Sequence, residues 1–189
     1  MLDKPPDTIP DDLSAQEYLQ LGNWFIEAQQ LDKARDALSR VVVLAASSES
    51  TRAARALLAT RIPANEISEE TIKAYFDTLT LSFRNRKTAR AGLEQMIGEN
   101  SDFEWPLFSL ADMDLRRGDL QSAETLLRKA LTINPLYAQA LIAMARLEII
   151  NMNYTPALEL LDKVEQLTPD DELIPELRRA TELITALDN

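Results

Sequence analysis

Ala123 and Ala157, Leu127 and Leu161, and Pro135 and Pro169 are each separated by 34 residues. They fall in "GDLQSAETLLRKALTINP" (118–135) and "MNYTPALELLDKVEQLTP" (152–169), segments with the same ending: Ala, Leu four residues on, and a closing Pro. A fixed period constrains the fold more than any local propensity, because a repeated unit buries its apolar face only against its neighbours. One period back lie Ala89 and Leu93. An Ala34–Leu38 pair follows "YLQLGNWF" (18–25), offset by an additional 21 residues. The chain thus carries four Ala–x3–Leu pairs, three of them in strict register.

The composition makes these units helical. Only 4 Gly occur among 189 residues, and Leu, Ala, Glu and Arg are abundant, which favours helix over sheet. With 46% hydrophobic and 27% charged residues, the chain has a globular balance and enough apolar side chains for a substantial interior. Cys and His are both absent. That removes disulfides, thiol nucleophiles, the commonest general base and the commonest transition-metal ligand. No glycine-rich phosphate loop, nucleophile elbow or metal-spaced cluster is present. Asp112 and Asp114 are two apart and diverge on a helix, while Asp170, Asp171 and Glu172 sit before a helix, where its dipole favours them. The expectation is a non-enzyme without cofactor or metal.

"VVVLAA" (41–46) is a long apolar run for this chain, yet spanning a bilayer takes about 20 residues. The start, "MLDKPPDTIPDD", lacks the basic and apolar regions of a secretory signal. A cytoplasmic location without membrane insertion is therefore expected. The net charge of −11 is uneven: residues 50–90 carry +4, against −5 before them and −10 after. Such an acidic chain is a poor ligand for phosphate backbones, so nucleic acid is not the expected partner.

Tyr18, Leu21, Gly22 and Phe25, followed by Ala34 and Leu38, resemble the tetratricopeptide repeat, a 34-residue helix–turn–helix. Small residues (Gly22, Ala34, Ala111, Ala123, Ala145, Ala157) would let paired helices approach. Large ones (Leu21, Leu38, Leu110, Leu127, Met144, Leu161) would fill the space between pairs. The Phe25 position becomes Thr80, Asp114 and Glu148 later, and Asp77 replaces a small residue. The resemblance implies an all-α αα-solenoid of about four helix pairs. Its expected parts are a flexible Pro/Asp-rich leader (1–14), unit 1 (15–48), an inserted helix and loop (49–69), a degenerate unit 2 (70–103), unit 3 (104–137), unit 4 (138–171) and a capping helix (172–189).

Local signals place helix starts and turns. Ser68 is read as an N-cap with Ile67 and Ile72 as a hydrophobic staple, and Ser101 with Glu104 fits a capping box. Pro106 argues for a start at Asp102 or later. Thr155-Pro156 reads as an N-cap followed by Pro, and Gly118-Asp119 and Asn153-Tyr154 as turns within units. In the last helix, Leu173, Leu177, Ala180 and Ile184 are expected to share the apolar face.

The same resemblance implies where a partner would sit, because the first helix of each repeat lines a concave groove. Carried over by position, the lining residues are Gln16, Leu19, Asn23 and Ile26, then Trp105, Phe108, Asp112 and Leu115, then Gln139, Ile142, Arg146 and Ile149. Exposed aromatic and aliphatic side chains beside single polar groups would anchor a protein or peptide segment. A subfamily that clamps a C-terminal carboxylate has Asn where Asn23 stands, but Leu19 occupies its Lys position and Asp112 would repel the ligand. That clamp is excluded. The basic stretch "RNRKTAR", with Arg84, Arg86, Lys87 and Arg90, is either a solvated turn or a dock for an acidic partner segment. The implied function is an adaptor, assembly factor or chaperone. The alternative is a regulatory or sensor domain of a larger enzyme or transcription factor. The partner's identity and the oligomeric state are left open.

Overall fold

The computed structural model describes residues 6–45, 48–168 and 173–187, except the Leu173 side chain. Pro169 and the group Asp170–Glu172 lie outside the described residues, as do residues 1–5 of the leader. Among the described residues there are only helices and their connections, with no strand. They form two compact units, residues 1–69 and 70–189.

The first unit holds α1 (Ala15–Glu27), α2 (Leu31–Leu44) and α3 (Glu49–Arg61). α1 begins at a capping box that the sequence reading missed. Glu17 N–H donates to Ser14 Oγ (3.4 Å), and Ser14 N–H donates to Glu17 Oε2 (2.8 Å), so two orphan donors of the first turn are satisfied. Tyr18, Leu21 and Phe25 are buried from α1 and Ala34, Leu38 and Val41 from α2. Burying each large apolar side chain contributes roughly 1.5–3 kcal/mol. Gly22 permits the close approach: a Cβ there would lie 2.5 Å from Leu38 Cδ2. α3 packs on both α1 and α2 through the buried Ala54 and the capped Thr51. Arg35 fixes the connector that follows by donating to the carbonyls of Pro63 (2.7 Å), Ala64 (3.1 Å) and Asn65 (2.6 Å). In the leader expected to be flexible, Tyr18 Oη donates to the Pro10 carbonyl (2.7 Å) and Arg40 pairs with Asp11 (2.7 Å).

The second unit holds α4 (Glu69–Ser82), α5 (Arg86–Glu99), α6 (Glu104–Leu115), α7 (Leu120–Ile133), α8 (Ala138–Ile150), α9 (Tyr154–Leu167) and α10 (Leu173–Leu187). Ala89, Ala111, Ala123, Ala145 and Ala157 are fully buried where helices meet, and Leu93, Leu127 and Leu161 fill the space beside them. α7 and α9 each put this apolar stripe inward and charged residues outward, as in Glu124–Arg128. A 34-residue spacing also recurs in the backbone. Gly118 (φ 78°) and Met152 (φ 62°) occupy the left-handed region at the turns after α6 and α8, and Gln29 (φ 59°) does so after α1. At each turn the amide of the next residue donates to the carbonyl five positions back: Gln30 to Phe25, Asp119 to Asp114 and Asn153 to Glu148. The α4–α5 turn departs from this, with Asn85 N–H donating to Leu81. The degenerate repeat thus differs in its turn as well as in its side chains.

Three local expectations are corrected. α9 begins at Tyr154 with Asn153 as N-cap residue, so Thr155 is no cap and Pro156 sits within the first turn, where its missing N–H costs nothing. α6 begins at Glu104 after Phe103, and Ser101 Oγ bonds Asp102 instead of capping. On α10 the face turned inward carries Ile174, Leu177 and Thr181, while Ala180 and Ile184 are exposed. That face meets α9 and α8 with Ile174 and Leu177, and beside it Arg178 reaches Asp162 (2.9 Å) and Glu165 (2.8 Å) on α9. Ile174 then seals a cluster of Leu141, Ala145, Leu161 and Val164.

Candidate protein-binding site

α6 and α8 differ from the amphipathic α7 and α9 in being apolar nearly all round. Such a helix belongs in an interior. Neighbours bury Leu107, Leu110 and Ala111 of α6 and Leu141, Met144, Ala145 and Leu147 of α8. What they leave partly exposed includes Phe108, Met113 and Leu115 on α6, and Ile142 and Ile149 on α8, with Ile150 exposed. The Phe108 ring stands edge-on to Tyr137, 5.5 Å between centroids, an arrangement that fixes it without hiding it. Among these apolar groups, Asp112 is held by Arg116 (2.7 Å), Arg146 is exposed and Gln139 is half-buried. Ile142 is partly covered by the cluster beneath α10.

Trp105 is corrected. Expected as an exposed anchor, it is 6% exposed because α4 brings Tyr75 and Phe76 against it, at 5.6 and 6.0 Å between ring centroids, and Phe103 joins the cluster at 5.5 Å. The aromatic pair of α4 lies in the repeat whose pattern is weakest, so its role as a cover was not legible. Tyr75 Oη and Ser109 Oγ share a hydrogen bond of 2.8 Å. Burial, opposed by that bond and reinforced by the Glu104 charge, pushes the Tyr75 phenol up to about 12. Burial raises Tyr137 likewise. Glu104, fully buried, accepts from Asn134 Nδ2 (2.9 Å), a link between α6 and the end of α7 that no motif announced.

In the first unit, Gln16 and Asn23 are exposed and Leu19 and Ile26 half-buried. Asn23 Nδ2 donates to the Leu19 carbonyl of its own helix (3.0 Å).

Of the basic stretch, Arg84, Arg86 and Lys87 are exposed. Arg90 is corrected: it is committed inward. It pairs with Asp114, whose side chain is 1% exposed, with Nη2 to Oδ2 at 3.3 Å, and it also holds Glu94 (2.8 Å). Ser122 Oγ donates to the same carboxylate (2.7 Å). Asp114 stands where Phe25 stands in the first repeat, and a buried carboxylate needs a cation. Burial alone would raise its pKa, but the Arg90 and Ser122 hydrogen bonds with the Arg90 and Arg117 charges outweigh it and hold the group below its usual range. Arg90 is raised in return, chiefly by the hydrogen bond to Asp114.

Among the described residues, no group of three or more acidic side chains is placed to hold a metal. Among the same residues, no helix is long and apolar enough to cross a membrane. The paired helices, the buried Ala–Leu ladder and the turns repeating at 34 residues now stand together, and the comparison with known sequences meets them in the second unit, where the family model for the tetratricopeptide repeat matches residues 114–180. The solved TPR2AB domain of yeast Sti1, determined as a complex with pHSP90, is similar over 89% of this chain and 69% of that one, at 15% identity and a TM-score of 0.53. That likeness extends the repeat fold well beyond the matched segment. PilF of Pseudomonas aeruginosa is 13% identical over 91% of this chain and 69% of that one, with a TM-score of 0.49. No curated protein matches the chain.

Proposed function

We propose that the chain is a non-catalytic interaction module, an adaptor, assembly factor or chaperone, that holds a segment of a partner protein against α6 and α8. The observation that carries this reading is the half-exposed strip of Phe108, Leu115, Ile142 and Ile149 on helices that are otherwise interior. Apolar groups left at such a surface are a partner's anchors more often than waste. Asp112 and Arg146 supply the polar groups that would set the direction of the bound segment. Support also comes from the fold, which is one of protein interaction, and from the Sti1 domain having been captured as a complex.

Phe108→Ala separates binding from folding. It should leave the melting curve close to that of the parent and weaken retention of partners in affinity capture by roughly 2 kcal/mol, the hot-spot scale. Trp105→Ala, in contrast, should cost about 3–5 kcal/mol of stability as a large-to-small core change. Equal capture by the Phe108 variant and the parent would end this reading.

A further inference from the structure

Within the second unit, a cleft of about 670 Å³ opens where the end of α4, the start of α5 and the end of α6 converge. Its walls are cationic: Arg86, Lys87 and Arg90 come from α5, and Arg116 and Arg117 from the turn that follows α6, with Asp112 as the one acidic lining residue. Arg90 and Arg116 are paired with Asp114 and Asp112, whereas Arg86 and Lys87 form no ion pair among the described residues. Its apolar part is made by Leu79, Met113 and Phe83, and Phe83 is 91% exposed. A ring that open beside uncompensated cations has no role in the packing of α4 on α5.

The placement of the charges is itself unfavourable to folding. Arg86 and Lys87 are the first two residues of α5, whose first turn holds no acidic residue. Cations at a helix N-terminus oppose the positive end of its dipole, and anions are favoured there. Asn85 caps this start by accepting from Thr88 N–H (3.1 Å) but leaves both cations unpaired, and a local choice that works against stability is expected at a binding surface. The rest of the chain selects among anions. With a net charge of −11, it repels an extended polyanion such as a nucleic acid, while a short acidic segment can meet the local cations and avoid the rest.

We propose that this cleft is a second docking site, for an acidic stretch of a partner protein that places one aromatic or large aliphatic side chain against Phe83, Leu79 and Met113. The carboxylates of that stretch meet Arg86, Lys87 and Arg117 and complete the anion-deficient start of α5. The site adjoins the strip on α6 and α8 at Asp112, which borders both, but Phe83, Arg86 and Lys87, on which it depends, lie between α4 and α5 and at the start of α5, away from that strip.

The test is selection of short random peptides displayed on phage against the full chain, with the double variant R86E/K87E and the single variant F83A as comparisons. Both changes fall on exposed side chains, and thermal melts verify that the variants are folded. Enriched peptides should be rich in Asp and Glu around an aromatic or Leu. Their affinity should fall roughly tenfold or more in R86E/K87E, since juxtaposed like charges are strongly repulsive, fall with added salt, and fall several-fold in F83A. The proposal is overturned if enriched peptides are not acidic, if none is enriched, if R86E/K87E binds them equally well, or if a single-stranded RNA oligonucleotide displaces them from the same residues. Retention of this binding in the Phe108 variant would show that the two sites are separate; its loss there would overturn their independence.

Discussion

Arg90 and Asp114 tie α5 to α6 through a carboxylate sealed from water, with Arg90 itself 28% exposed. Removing one partner of a buried pair leaves the other charge uncompensated, so Asp114→Ala is expected to cost about 3 kcal/mol, the lower end of the usual range because Arg90 keeps some solvent. The pH dependence follows from the lowered pKa of Asp114. Its contribution is present in full above the ordinary carboxylate range near 4 and is lost as pH falls through that range toward the folded value. Urea melts at neutral pH and at pH 3 check this: the gap between parent and variant should narrow in acid, and a constant gap would show that the pair is not the cause. Met152 offers the opposite sign. It is a non-glycine residue at φ 62°, 72% exposed, where its 34-residue counterpart is Gly118. Met152→Gly should stabilise the protein by about 1 kcal/mol by relieving left-handed strain, read as a higher melting temperature.

At the scale of elements, α10 covers an end. Its Ile174 closes the Leu141, Ala145, Leu161 and Val164 cluster, and Arg178 bridges to Asp162 and Glu165. A helix pair in a repeat array buries its apolar face only against the next element. Deleting residues 170–189 should therefore expose Leu161 and Val164 and lower the melting temperature or solubility. An unchanged melt would show that α10 contributes nothing to the second unit. The same comparison of elements explains what was legible in α10. Its amphipathic pattern announced a helix with one buried side, but which side depends on where α8 and α9 place Leu141, Ala145, Leu161 and Val164 to receive Ile174. The caps of α6 and α9 fall on Phe103 and Asn153, and not on Ser101 and Thr155, for a related reason. Ser, Thr and Pro can each occupy several positions in a first turn, so the pattern alone does not choose among them.

For the molecule as a whole, the 34-residue register of Ala123, Leu127, Ala157 and Leu161 was enough to determine an all-helical repeat fold. A small residue and a large one recurring at a fixed interval can be satisfied together only by stacked helix pairs. The absence of Cys and His and the acidic balance likewise restrict the chemistry open to the chain. The candidate sites were only partly legible. Phe108 and Ile149 emerge half-exposed, but Trp105 is covered by Tyr75 and Phe76 across a helix pair, and Arg90 is drawn inward by Asp114 from another helix. Exposure and ion pairing are properties of residues distant in sequence. Periodicity along one chain says which face of a helix is apolar; only the tertiary structure decides whether a neighbour covers that face or leaves it to a partner.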